Sequence, residues 1–90
     1  MKIRAFDWDF HNIEHIARHS VSPDEAEEAF FCALFRKGRQ GRLLVYGFTD
    51  AGRYLLVVAV FKDNGIVRVI TARDMTKPEK RYFLREKGEW

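Results

Sequence analysis

The chain has 90 residues, 47% hydrophobic and 14% aromatic, with a net charge of +3. That length fits one domain and excludes a second core, because domains cluster near ~100–150 residues, so residues 1–90 are read as a single unit. The one cysteine, Cys32, excludes an internal disulfide framework and points to a reducing compartment, hence a cytoplasmic protein.

Charge is unevenly spread. Residues 1–35 carry three Lys/Arg against seven Asp/Glu, a net of −4, while residues 36–90 carry thirteen against six, a net of +7. A basic C-terminal part suits phosphate contact, because Lys and Arg that neutralise phosphates release condensed counterions. A solvated basic surface accounts for the same numbers. The N-terminal residues Met1–Asp7 hold no long apolar stretch, so no secretory leader is expected. The longest apolar run, Tyr54–Phe61, is eight residues. A spanning helix needs ~20, so no membrane contact is expected.

Lys2–Trp8 alternates weakly and reads as a first strand. Asp9–His19 reads as a helix with Ile13, Ile16 and Ala17 on its apolar side and His11, His15, Arg18 and His19 opposite. A second helix starts where Ser22 caps, Pro23 takes the first helical position and Glu25 completes a Ser-x-x-Glu box. Its apolar positions Ala26, Ala29, Phe30 and Ala33 follow at helical spacing, and Cys32 is expected in the core beside them. Phe35–Thr49 forms a hairpin around Lys37–Gly41, with Arg42–Phe48 as the return strand. Arg53–Phe61 is apolar through its middle and should be a central strand buried on both faces. Asp63-Asn-Gly65 turns the chain into a last strand, Ile66–Arg73. Thr76-x-x-Glu79 then caps a basic helix, Lys77–Lys87. The order β-α-α-β-β-β-β-α predicts an α+β domain with a small, mixed, mostly antiparallel sheet.

No zinc, P-loop or dinucleotide signature is present, so neither a metal nor a cofactor is expected. His11, His15 and His19 recur every four residues and form one helical stripe. Such a stripe suits proton transfer near neutral pH, a transition metal, or merely a solvated surface. In the last strand, alternation puts Arg68 with Ile66, Ile70 and Ala72, and Arg73 with Val69 and Thr71. Arginines in an apolar strand need solvent or an anion, and their planar donors match two phosphate oxygens. With Lys77, Lys80, Arg81 and Arg85 they concentrate positive charge at the strand–helix junction.

Phe6-Asp-Trp-Asp9, an amphipathic helix ending Arg18-His19-x-Val-Ser22 and an acidic second helix together resemble the start of BrnT toxins. So do Thr49-x-x-Gly-Arg53, the apolar strand, and Ile66–Arg73 before the Thr-x-x-Glu helix with Arg81-Tyr82. The resemblance runs collinearly over nearly the whole chain. It implies a RelE-like, metal-independent ribonuclease toxin that cleaves RNA and slows translation. It also implies a small antitoxin encoded next door, which with the toxin binds operator DNA. The positions matching the family's polar residues, His19, Arg68, Thr71, Arg73, Arg81 and Tyr82, make His19, Arg68 and Arg73 the catalytic candidates. Thr71, Arg81 and Tyr82, with Arg18 beside His19 and Lys77 and Lys80 of the basic junction, are the RNA-binding ones. The chain departs from the family in its first helix, Phe10-His-Asn-Ile-Glu-His15, which lacks the lysine that members usually carry there. A different class remains open: a non-enzymatic basic module, as a monomer or a homodimer, that grips protein or nucleic acid.

Overall fold

Two short helices precede four strands, and a third helix follows them, in the computed structural model, which describes residues 2–87. Strand β1 (Ala5–Phe6) leads into helices α1 (Phe10–Ala17) and α2 (Pro23–Glu28). Strands β2 (Leu34–Lys37), β3 (Leu43–Phe48), β4 (Tyr54–Phe61) and β5 (Ile66–Asp74) follow, and helix α3 (Lys77–Lys87) comes last. The sheet runs β1-β5-β4-β3-β2, antiparallel except where β1 pairs parallel with β5. The α+β class and the central place of β4 match the expectation from sequence. Among the described residues, no helix is long and apolar enough to cross a membrane.

Helix α2 begins where the capping box requires, with Ser22 Oγ accepting from Glu25 N and Glu25 Oε1 accepting from Ser22 N. It stops five residues short of the expected end. The Ala29 carbonyl there packs against Gly47 of β3, where a Cβ would collide with it. The chain turns away at that contact, which leaves Cys32 exposed; helical periodicity had placed it in the core. Helix α1 is also shorter than expected and ends in a turn, with Ser20 at φ 59°. Its buried positions are Asn12 and Ile16, whereas Ile13 is 39% exposed.

The sheet separates two apolar clusters. Leu55, Val57 and Ala59 of β4 meet Ile16, Ala26 and Phe30 from α1 and α2. Leu56 and Tyr46 meet Phe83 of α3 on the other face. Helix α3 covers only the Tyr54–Leu56 end of that face, and Val58 and Val60 stay half-buried outside both clusters.

Strict alternation fails in β5. Val58 pairs with Thr71 but Ala59 pairs with Val69, so Ile70 is an extra residue, a β-bulge. The bulge resets the phase: Ala72 joins Val67 and Val69 in the α1/α2 core. Thr71 and Arg73 therefore leave β5 on the same face as Arg68, not on the opposite one. A two-residue period read from sequence cannot register an inserted residue.

Candidate functional site

With β1 only two residues long, the edge of β5 beyond Val67 lacks a neighbouring strand. Helix α1 takes that place. The buried Asn12 amide donates to the carbonyls of Val69 (3.0 Å) and Asp7 (2.9 Å), and its Oδ1 accepts from Asp9 N at 2.8 Å. Asp9 in return caps α1 by accepting from Asn12 N at 3.2 Å. This amide satisfies a strand carbonyl, pins the helix start and closes the cap at once; an orphaned carbonyl there would cost about 1–3 kcal/mol.

Pinning Asn12 and Ile16 inward turns the adjacent flank of α1 toward β5. A groove of about 210 Å³ results, with His11 and His15 on one wall and Arg68 and Ile70 on the other. Pockets for drug-sized ligands run ~300–1,000 Å³, so this one suits part of a nucleotide. The Arg68 guanidinium crosses the β5 edge to Asp9, with Nη1–Oδ2 at 3.0 Å and Nη2–Oδ1 at 3.2 Å, and lies 3.5 Å from Asp7. Asp9 holds the outer edge of the fork, and among the described residues the Nε edge makes no hydrogen bond. Lys62, donating to Asp7 at 2.7 Å, is the main cause holding the Asp7 carboxyl below its usual range; Arg68 does the same for Asp9.

The stripe continues past the groove: the rings of His15 and His19 lie 6.4 Å apart. The His19 backbone is fastened by Arg53, which donates to the carbonyls of His19 (3.0 Å) and Ser20 (2.6 Å). Arg53 also grips Asp74 at 2.7 and 3.2 Å and lies 3.3 Å from Glu25. It thus ties the α1–α2 turn to the ends of β4 and β5. Arg53 holds the Asp74 carboxyl below its usual range, and the nearby His19 adds to that shift.

Arg73 is held differently. Its fork meets both Glu79 oxygens at 2.8 Å, and Nη1 donates to the Asp74 carbonyl at 3.0 Å. Glu79 also accepts from Thr76 N at 2.8 Å, so the ion pair is built into the start of α3. Arg73 pulls the Glu79 carboxyl down to about 2.

The expected site residues therefore separate. Arg68 and His19, with exposed Arg18 beside it, lie along the α1–β5 border. Thr71 is half-buried on the opposite face of the sheet from the α1/α2 core, and Lys77 and Arg81 are exposed on α3. Lys80 sits 4.4 Å from the Tyr54 ring, and Tyr82 packs on Tyr46 beneath Arg36. Burial pushes the Tyr46 hydroxyl above its ordinary value. Sequence reasoning missed Asn12 and Arg53 as organisers of the site. Asn12 at the third helical position, after Asp9, was a local signal for a capping pair; the reach of Arg53 across 33 and 34 residues had none. Among the described residues, no group of three His, Cys, Asp or Glu is placed to hold a metal.

A family model described as the ribonuclease toxin BrnT of type II toxin–antitoxin systems matches residues 8–79. The fold is similar to the 1.1 Å crystal structure of the Brucella abortus ribonuclease toxin BrnT, with a TM-score of 0.70 at 21% identity. That match covers 81% of this chain and 97% of the other. No curated protein sequence matches the chain. The matched residues run from Trp8 through both ends of the groove to Glu79, and the chain belongs to the BrnT family of ribonuclease toxins of type II toxin–antitoxin systems.

Proposed function

We propose that this chain is a cytoplasmic endoribonuclease that cuts RNA without a metal, through attack of a ribose 2′-hydroxyl on its own phosphodiester. The observation that carries this reading is the groove in which Arg68 faces the imidazoles of α1. The reaction moves two protons and builds negative charge on phosphorus-bound oxygens. Imidazole is suited to the first task near neutral pH and guanidinium to the second. Arg68 offers its open Nε edge to the phosphate, His19 carries a proton, and the basic residues of α3 guide the strand. Arg73, its fork filled by Glu79, holds α3 in place instead of touching phosphate.

The bond from the 2′-oxygen to phosphorus forms as the bond to the 5′-oxygen breaks. The products are a 2′,3′-cyclic phosphate and a 5′-hydroxyl. Purified protein given RNA in EDTA should leave those ends, and one 2′-deoxy nucleotide at the cut site should block it. Cleavage lost in EDTA and restored by zinc would replace this mechanism with a metal-dependent one. RNA bound but left whole would favour the non-enzymatic module.

Membership of a type II family brings an antitoxin with it. We infer a small acidic partner encoded next door, which covers part of the Arg68–Arg85 surface and joins the toxin on operator DNA. Co-expression should yield a complex whose association slows with salt far more than its dissociation does.

A further inference from the structure

Attack by a 2′-hydroxyl needs two proton carriers, one to accept from the nucleophile and one to donate to the leaving 5′-oxygen. The reading above, on which this inference rests, supplies one, His19. The groups around the groove leave few choices for the other. Asp7, Asp9 and Asp74 are held ionised by Lys62, Arg68 and Arg53. On the other face of the sheet, Glu79, at about 2, is locked to Arg73, and Tyr46 is buried with its proton retained. None of these exchanges a proton readily near neutral pH. The imidazoles remain. His11 lies eight residues from His19, at the other end of α1, and its ring stands against Phe10. His15 lines the groove with Arg68, and its ring is 6.4 Å from that of His19.

We propose that His15 is the second catalytic residue, working with His19 as an acid–base pair across a phosphodiester held by Arg68. A ring separation of 6.4 Å leaves room between the imidazoles for the reacting oxygens, each within hydrogen-bond reach of one ring. One imidazole enters neutral and takes the 2′-hydroxyl proton; the other enters protonated and gives its proton to the 5′-oxygen. After cleavage the two have exchanged states, so charge and protons balance. His15 stands in the last turn of α1 and His19 in the turn that follows, whose backbone is tied back by the bond from His19 N to the Ile16 carbonyl. Asn12 and Arg53 act as positioning residues, Asn12 fixing the helix against β5 and Arg53 fixing the His19 backbone.

The test uses the full chain, an RNA oligonucleotide and its analogue with sulfur replacing the 5′-bridging oxygen at the cut. Both histidines are exposed, so His15→Ala and His19→Ala should melt close to the parent. Each variant should lose roughly 10²–10⁴-fold in cleavage while still binding a 2′-O-methyl RNA. The double variant should be little worse than either alone, as expected of groups that act as a unit. A thiolate leaves without a proton, so the sulfur substrate should restore only the variant that lacks the acid. Undiminished cleavage by His15→Ala would overturn this assignment while leaving the ribonuclease reading intact, and so would rescue of both variants or of neither. A parent protein that cuts no RNA at all would remove the reading and this inference together.

Discussion

Arg68 and Arg73 leave β5 on the same face, five residues apart, and carboxylates meet both of them, yet the two pairs differ in kind. Arg73 is gripped through two 2.8 Å bonds by Glu79, a 23% exposed residue that also caps α3. Arg68 shares looser contacts of 3.0–3.5 Å with Asp9 and Asp7, and Asp9 is 45% exposed. The first pair joins two elements. The second occupies one edge of a fork in a groove and leaves the Nε edge open. A charged side chain therefore reveals its role through its partner's other duties, more than through its own identity.

The sharpest division between them is in activity. Arg68→Ala should cut RNA cleavage roughly 10–100-fold, the weight of a charge-assisted hydrogen bond that acts at the transition state. Its melting temperature should move less than that of an Arg73 variant, because its partner Asp9 is 45% exposed and Asp7 keeps Lys62 as a second partner. A large loss of stability in Arg68→Ala, with cleavage per folded molecule preserved, would reverse the two assignments.

Arg73→Met should do the opposite. The fall of the Glu79 carboxyl from 4.5 to about 2 would correspond to about 3 kcal/mol in a fully shielded pair. Arg73 is 39% exposed, so solvent screening reduces this to about 1–2 kcal/mol. In a domain of this size that is roughly 5–15 °C in Tm. Cleavage measured well below the melting point should change much less than in Arg68→Ala. Thermal melts beside initial rates decide it.

Acid should expose the same pair. Glu79 titrates lower in the folded chain than in the unfolded one, so its stabilisation is complete above pH 4.5 and drains away as pH falls toward about 2. The stability gap between parent and Glu79→Gln should hold steady from pH 5 to 7 and narrow below about 4.5. A gap that stays constant down to pH 3 would mean that Glu79 acts only as an uncharged cap.

Much of this arrangement could be read before any coordinates were known. Ser22-Pro23-x-Glu25 and Thr76-x-x-Glu79 mark helix starts by local hydrogen bonding, and the uninterrupted apolar middle of β4 marks a central strand, of which α3 covers only the Tyr54–Leu56 end on the second face. The helical part of the histidine stripe, His11 and His15, was legible too, because four-residue spacing is a property of the helix itself. Its target was hidden, since the amide of Asn12 selects β5 from 57 residues away. The same holds for the second duty of Glu79, visible as a cap but not as the anchor of Arg73. The bulge at Ile70 was hidden for a different reason: no residue type announces it, and one inserted residue reverses the face of everything after it.

The smallest expected effect probes whether the Arg68 pair really yields. Asp9→Asn keeps the cap, because asparagine is as good as aspartate at that position. It removes the carboxylate from the outer edge of the Arg68 fork, and Asp7 remains 3.5 Å away. The helix loses a favourable charge at its N-terminus, so Tm should drop slightly. RNA binding should nevertheless tighten by a factor of a few, because the phosphate at the Nε edge no longer meets a neighbouring carboxylate of like charge. The gain should shrink at high salt, where exposed charges are screened. Anisotropy with a 2′-O-methyl oligonucleotide at low and high ionic strength measures it. Unchanged or weaker binding in a folded Asp9→Asn protein would mean that Asp9 holds Arg68 as a strut, much as Glu79 holds Arg73. The phosphate contact would then have to come from elsewhere along the groove.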